Sequence, residues 1–254
     1  ASSTIEQLRP QIGGEFAQFA DLDFSPVISD TLTLSTFHGC PPDEIEAIVK
    51  HLIDHHDLDV IVKLNPTLLG VDRVQSLVVD QLGYDYVQLD REAFKHDLGF
   101  DRGVELIGEL NDYAKERGHK FGIKLTNTLV VKNHKQWMPD PTMYLSGAPL
   151  HVLASTLLAE LADALPGQLM IPGHDGDIMV SYSAGINRDN LADTLATGVR
   201  PASVCSDLLK PGGYGRLAPM LKKLTAAVAD SGASNLDEFR AVRQAEAVAA
   251  GMPD

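Results

Sequence analysis

The run Leu32-Thr-Leu-Ser-Thr-Phe-His-Gly-Cys40-Pro-Pro-Asp-Glu-Ile-Glu-Ala-Ile-Val-Lys-His-Leu-Ile-Asp-His55, closing at Ile61-Val-Lys63-Leu-Asn65-Pro66-Thr67, constrains the fold more than any other stretch. A β-rich apolar run precedes Gly39 and Pro41. Apolar residues then recur at helical spacing at Ile45, Ile48, Val49, Leu52 and Ile53 before Val60-Ile61-Val62. The stretch reads as one βαβ unit, and such a unit places its strand-end loops on a single face of a parallel sheet. That face receives a thiol from Cys40 and an amine from Lys63.

Alternation of strand and helix continues. Val71 to Leu82 carries a helical stripe, Tyr84 to Asp90 alternates like a strand, and a helix capped by Asp101 runs through Val104, Ile107, Leu110 and Ala114 to Gly118. Phe121 to Thr128 reads as a strand, Val131 to Ser146 as a long polar loop, and Pro149 to Leu165 as a buried helix. Ile178 to Ser183 and Pro201 to Cys205 read as further strands, separated by a helix over Asp189 to Thr197. Helices over Leu217 to Val228 and Leu236 to Ala249 close the chain, the last with a Ser234 or Asn235 cap. The pattern predicts an α/β fold of the TIM (β/α)8 type. Six strands are legible where a barrel needs about eight, so the barrel is expected to be partial, with its first strands missing or supplied elsewhere. The expected division is an N-terminal arm over 1–30 lying against the main body, a barrel over 31–230 and a C-terminal helix over 231–254.

Composition narrows the function classes. Asp and Glu number 35 against 21 Lys and Arg, a net charge of −14, so a nucleic-acid backbone or an anionic membrane would be repelled. Two cysteines far apart, Cys40 and Cys205, fit a reduced cytoplasmic protein and are too few to hold an iron–sulfur cluster. No stretch has the roughly 20 apolar residues of a membrane span.

Several residue types point to chemistry. Cys40 on a Gly-Cys-Pro turn suits a general acid, against the plainer reading of a buried structural thiol. Lys63 and Lys124 lie in an internal echo, Val62-Lys-Leu-Asn-Pro-Thr-Leu against Ile123-Lys-Leu-Thr-Asn-Thr-Leu, each an amine among apolar strand residues. A desolvated lysine also permits Schiff-base chemistry. His38 can assist proton transfer or merely satisfy the turn's backbone. His51 and His55 have metal-compatible spacing but no third ligand in the pattern, so no metal site is expected. The 131–146 loop, with Trp137, is either a lid or a surface insertion.

The motifs Thr33-Leu-Ser-Thr-Phe-His-Gly-Cys-Pro-Pro-Asp-Glu-Ile-Glu-Ala-Ile, Val62-Lys-Leu-Asn-Pro-Thr-Leu-Leu-Gly, Lys124-Leu-Thr-Asn-Thr-Leu and Ser206-Asp-Leu-Leu-Lys-Pro-Gly-Gly-Tyr resemble the selenate reductase subunit family. The resemblance runs from about Thr31 to Leu217. Those are long flavin and iron–sulfur proteins whose barrel is similar to dihydropyrimidine and dihydroorotate dehydrogenases. It implies a fragment of a longer cytoplasmic oxidoreductase that binds FMN and a small-molecule substrate, with iron–sulfur clusters and electron-transfer modules elsewhere in the protein or complex. It further implies that Cys40 protonates substrate and that Lys63 stands near flavin N1; His38, next to the cysteine, is the expected aid to proton transfer. Asn127 and Thr128 would bind substrate by the same resemblance, and Asn65, in the strand-end motif after Lys63, is expected to join them. Ser146, Gly147, Ala184, Gly185 and Ser206 would join Lys63 in holding the cofactor, and Lys124, from its echo of Lys63, is expected to do the same.

The sequence departs from those dehydrogenases at three places. Phe37 stands where they carry a substrate-binding Asn, Asp207 enters the phosphate loop, and the Tyr84–Asp90 strand is additional. The reading implied by the resemblance is reduction of a carbon–carbon double bond conjugated to a carbonyl in a cyclic ureide. A cofactor-free barrel scaffold within a redox complex and a Schiff-base lyase remain the alternatives.

Overall fold

The computed structural model describes residues 2–23, 25, 27–36 and 38–249; Phe24, Phe37 and the last five residues of the 231–254 segment lie outside the described residues. In chain order, α1 (Ser2–Leu8) and two 3-10 turns lead to β1 (Thr31–Ser35), α2 (Pro42–His56) and β2 (Asp59–Leu64). Next come α3 (Val71–Gln75), which continues as a π-helix over Ser76–Gln81, then α4 (Arg91–His96), α5 (Phe100–Glu116) and β3 (Phe121–Leu125). β4 (Leu129–Lys132), β5 (Thr142–Leu145), α6 (Ala148–Ala164), β6 (Met179–Tyr182), α7 (Leu191–Ala196), α8 (Leu217–Asp230) and α9 (Leu236–Ala249) complete it.

The expected βαβ unit forms as read. Pro41 and Pro42 open α2, Ile45, Val49 and Ile53 bury one face of it, and β2 returns parallel to β1. β1, β2, β3 and β6 make one parallel sheet in that order. Because side chains alternate across a strand, Val62, Ile123 and Val180, aligned across β2, β3 and β6, enter the helix-packed core. The next register row, Ser35, Lys63, Lys124 and Ser181, therefore faces the other side of the sheet. That side is the floor of the site. At Gly122 an added Cβ would lie 2.8 Å from the Met179 carbonyl oxygen, so only glycine lets β3 and β6 sit this close.

The architecture is an α/β barrel type with a parallel sheet, and the barrel is not closed. Six strands occur among the described residues, but not the six expected. Tyr84 to Asp90 is not a strand: Gly83 takes φ +73°, Val87 donates to the Tyr84 carbonyl to close a turn, and only Leu89 bridges Val131. Its apolar alternation goes into burying Val87 and Leu89. β2 thus pairs directly with β3, and the supposed additional strand disappears. Pro201 to Cys205 is reduced to one parallel bridge, Tyr182 with Ala202.

The 131–146 segment is no simple loop. β4 and β5 pair antiparallel across it, and Asn133 holds the hairpin by donating to the carbonyls of Met138 and Asp140. Gly99 rather than Asp101 caps α5, with no side-chain cap bond. Asn235 does cap α9, accepting from the N–H groups of Asp237 and Glu238. The first thirty residues bury no described side chain, and Phe16 and Phe19 are exposed.

Candidate functional site

Cys40, Asn127, Ala184 and Ser206 follow the parallel strands or the Ala202 bridge, and Lys63 stands one residue before the end of β2, so all five gather at the carboxyl edge of the sheet. Three clusters form there.

The first is cationic. Lys63 and Lys124 are register partners, both half-buried. Burial pulls the Lys63 amine down, with Cys205 close by acting the other way. Burial also lowers Lys124, and the Lys63 charge lowers it further. Lys124 Nζ donates to Ser203 Oγ at 3.1 Å. Cys205 itself is exposed.

The second cluster is a cradle of backbone. A methyl at Gly185 would collide with the Gly147 carbonyl oxygen, and one at Gly147 would lie 3.8 Å from Ser206 Cβ. Gly147, Ala184, Gly185 and Ser206, spread over 60 residues of sequence, therefore meet. Ser146 adjoins them in sequence with no side-chain bond of its own among those described. The carboxylate of Asp207 is neutralised beside this cradle: Arg216 Nε and Nη2 donate to its two oxygens at 3.0 Å each, and Lys210 Nζ adds a third bond at 3.0 Å. Arg216 above all, then Lys210, holds Asp207 below the usual carboxylate range despite its burial. Arg188 pairs instead with Asp189.

The third cluster is a largely buried chain of hydrogen bonds that starts at the exposed Ser35. Ser35 Oγ donates to Asn127 Oδ1 at 3.1 Å, and Asn127 Nδ2 donates to Asn65 Oδ1 at 2.8 Å and to the Thr36 carbonyl at 3.0 Å. Asn65 Nδ2 then donates to Asp97 at 3.3 Å. Asp97 also accepts from Thr67 Oγ1 at 2.7 Å and from the Gly39 N–H. His38 Nδ1 stands 2.7 Å from the same carboxylate, and its Nε2 is 3.0 Å from the Thr128 carbonyl. Both ring nitrogens thus face acceptors, which requires a proton on each. Burial works against a charged ring, but the Asp97 hydrogen bond and charge, with the Thr128 carbonyl, outweigh it and raise the His38 pKa.

Cys40 stands apart from these groups. It is 3% exposed, within the apolar core, its Sγ 3.9 Å from a Glu44 carboxylate oxygen. Burial first, then Glu44, pushes the thiol up, so it keeps its proton at neutral pH. His51 and His55 stack at 4.4 Å on α2, and no group of three or more His, Cys, Asp or Glu among the described residues is arranged to hold a metal. No helix among them is long and apolar enough to cross a membrane.

Asp97, Thr67, Ser35 and Ser203 are site residues that the sequence reading did not single out. Asp97 lies between two helices and 59 residues from His38, with no local pattern to flag it. The position of Ser35 at the end of the first strand of the βαβ unit was the one available signal.

A parallel α/β sheet with its polar groups gathered at the strand ends is the arrangement of a barrel domain with a strand-end site. The chain belongs to the family of the N-terminal TIM-barrel domain of oxidoreductase YgfK, whose model matches residues 4–251. It is 42% identical over 193 residues to a protein named "Putative oxidoreductase YgfK" in Escherichia coli K12, and equally to the one of that name in Escherichia coli O157:H7. Each alignment covers 76% of this chain and 18% of the relative, so the chain spans about a fifth of the length of the relatives it matches. The family bears the name of an oxidoreductase and not that of a selenate reductase. Among solved structures the chain is similar to dihydroorotate dehydrogenase (DHODH) from Eimeria tenella in complex with ferulenol, with a TM-score of 0.41 and 16% identity over 78% of this chain and 57% of that one.

Proposed function

We propose that this chain is the flavin-binding barrel of a larger iron–sulfur oxidoreductase, and that it reduces a carbon–carbon double bond conjugated to a carbonyl in a cyclic ureide. The observation that carries the reading is the Lys63–Lys124 pair beside the glycine cradle of Gly147 and Gly185. Two half-buried amines side by side repel each other, and an anionic conjugated ring laid over them relieves that repulsion. The cradle offers close backbone approach of the kind a phosphate group uses. These residues fit FMN. When bound, FMN supplies the hydride chemistry that no side chain can.

The remaining tasks fall to the chain. Lys63 and Lys124 hold negative charge at the ring edge, with Ser203 orienting the Lys124 amine. Ser206 and the Ala184–Gly185 backbone seat the phosphate, and Arg216 and Lys210 keep Asp207 from repelling it. Cys40 Sγ carries the proton that the substrate carbon requires, its thiol kept protonated by burial and by Glu44. Asn65, Asn127 and Thr128 shape the substrate edge. The family's oxidoreductase name supports redox work, and the small share of its relatives that the chain spans leaves room for electron-transfer modules elsewhere in the protein.

A second reading is favoured by one observation. The Asn65 and Asn127 side chains are spent on protein partners and Cys40 is enclosed, which suits a barrel serving as scaffold for redox modules elsewhere in the protein. An absorption spectrum of the intact protein separates the two. A yellow protein whose colour is bleached by reductant and lost in the Lys63→Ala/Lys124→Ala double variant supports the flavin reading; a colourless barrel with no affinity for added FMN supports the scaffold.

A further inference from the structure

The carboxylate of Asp97 is 1% exposed, yet it receives four hydrogen bonds or ion-pair contacts from two different parts of the chain. Gly39 N–H and His38 come from the cysteine turn, Asn65 and Thr67 from the end of β2. Through Asn65 the network continues to Asn127, and so to Thr36 and Ser35 on β1. Through His38 it reaches the Thr128 carbonyl between β3 and β4. One buried negative charge therefore ties the Cys40 turn to the ends of β1, β2 and β3. Removing one partner of such a pair leaves the other charge buried and uncompensated.

We propose that Asp97 is a positioning residue of this site, whose carboxylate holds His38 as an imidazolium and thereby clamps the Gly39–Cys40 turn to the strand ends. His38 spends both ring N–H groups in this clamp, so its part is to fix the turn and not to exchange protons with substrate. The titratable groups facing the ring among the described residues are Asp97, from the α4–α5 junction, and Tyr144, stacked from β5 at 6.2 Å. Gly39 contributes a φ of +80°, a geometry that leaves its N–H aimed at Asp97 and that a side chain would strain. The proposal rests on the reading of this edge as the catalytic site.

The test uses the intact protein and reads His38 directly. In protein labelled with ¹⁵N-histidine, the His38 ring should keep the doubly protonated signature to a higher pH than an ordinary imidazole does. A neutral ring titrating at about 6.5, the ordinary imidazole value, overturns the clamp without any variant being made. In Asp97→Asn, on a Cys205→Ala background, His38 should become neutral at pH 7.5, and alkylation of Cys40 should quicken about tenfold as the turn opens more often. Turnover should fall through kcat with KM little changed. An Asp97→Asn protein whose His38 signature and Cys40 alkylation match the parent would overturn the proposal. Loss of the flavin reading shows differently: Cys40→Ala would then leave turnover intact, while the His38 signature and its dependence on Asp97 persisted.

Discussion

Lys63 and Lys124 lie side by side in register across two parallel strands, and neither forms an ion pair with a carboxylate among the described residues. In a chain with 35 acidic residues and a net charge of −14, two amines left facing each other are the place that the proposed flavin reading fills with negative charge. Lys63→Met should remove the repulsion and raise the Lys124 pKa, measured by reductive methylation with ¹³C-formaldehyde and NMR titration. Lys63→Ala should weaken FMN binding about tenfold, corresponding to about 1.4 kcal/mol, and slow the reductive half-reaction. Unaltered FMN affinity in both variants would count against the cationic floor as the ring site. Borohydride trapping of either lysine with a carbonyl substrate would instead favour imine chemistry.

Cys40→Ala should lower substrate turnover by about 10²- to 10⁴-fold while leaving bound flavin in place, because a proton donor acts only in the chemical step. Cys40→Ser should fall between, since an alcohol is a far weaker acid than a thiol of pKa about 8.5. Flavin reduction and reoxidation measured separately locate the defect. The raised thiol pKa also means that alkylation of Cys40 stays slow at pH 7 and accelerates only well above its ordinary titration range.

Gly185→Ala should be costly beyond its size. Gly185 has φ +57°, and the new methyl would strike the Gly147 carbonyl oxygen, so both backbone strain and collision act at once. A loss of about 1–3 kcal/mol in unfolding free energy by urea titration is expected, together with weakened retention of the phosphate end of FMN. Gly108→Ala is the control: nothing lies within 4 Å of that position and the helix there gains a better former.

Arg216→Ala should destabilise the protein, because it strips Asp207 of its bidentate partner and leaves only Lys210. Asp207→Asn on top of it should recover part of the loss, since the uncompensated charge is gone. Chemical denaturation of the four proteins of the cycle gives the coupling.

The His38–Asp97 pair sets a pH window. His38 has its pKa raised on folding, so its contribution is fully present below about 6.5, the unfolded value, and is lost as pH rises through the higher folded value. Asp97 has its pKa lowered on folding, so its contribution is present above about 3.9 and is lost as pH falls through the lower folded value. The midpoint of thermal unfolding should therefore decline on the alkaline side in the parent and less so in Asp97→Asn, with the difference between them largest near pH 5 to 6, as an estimate from about those two reference values.

The sequence by itself determined the elements whose cause is local. The stripe Ile45, Val49 and Ile53 with Pro41 and Pro42 made α2, and Asn235 capped α9, because periodicity, proline geometry and capping act within a few residues. The same locality made Lys63 and Lys124 visible as amines in strands, and the Gly39-Cys40-Pro41 turn visible as a turn. Tertiary structure decided what alternation alone left open. Tyr84 to Asp90 and Pro201 to Cys205 have strand-like composition, but a strand forms only where a neighbour pairs along its length, and each finds a single bridge. The β4–β5 hairpin was hidden by polar residues because its order rests on Asn133 reaching across the loop. Above all, the site's organising charge, Asp97, meets residues 30 to 59 positions away. A buried carboxylate is tolerated there only because those distant donors converge on it, and their convergence is a property of the packed chain and of no shorter segment.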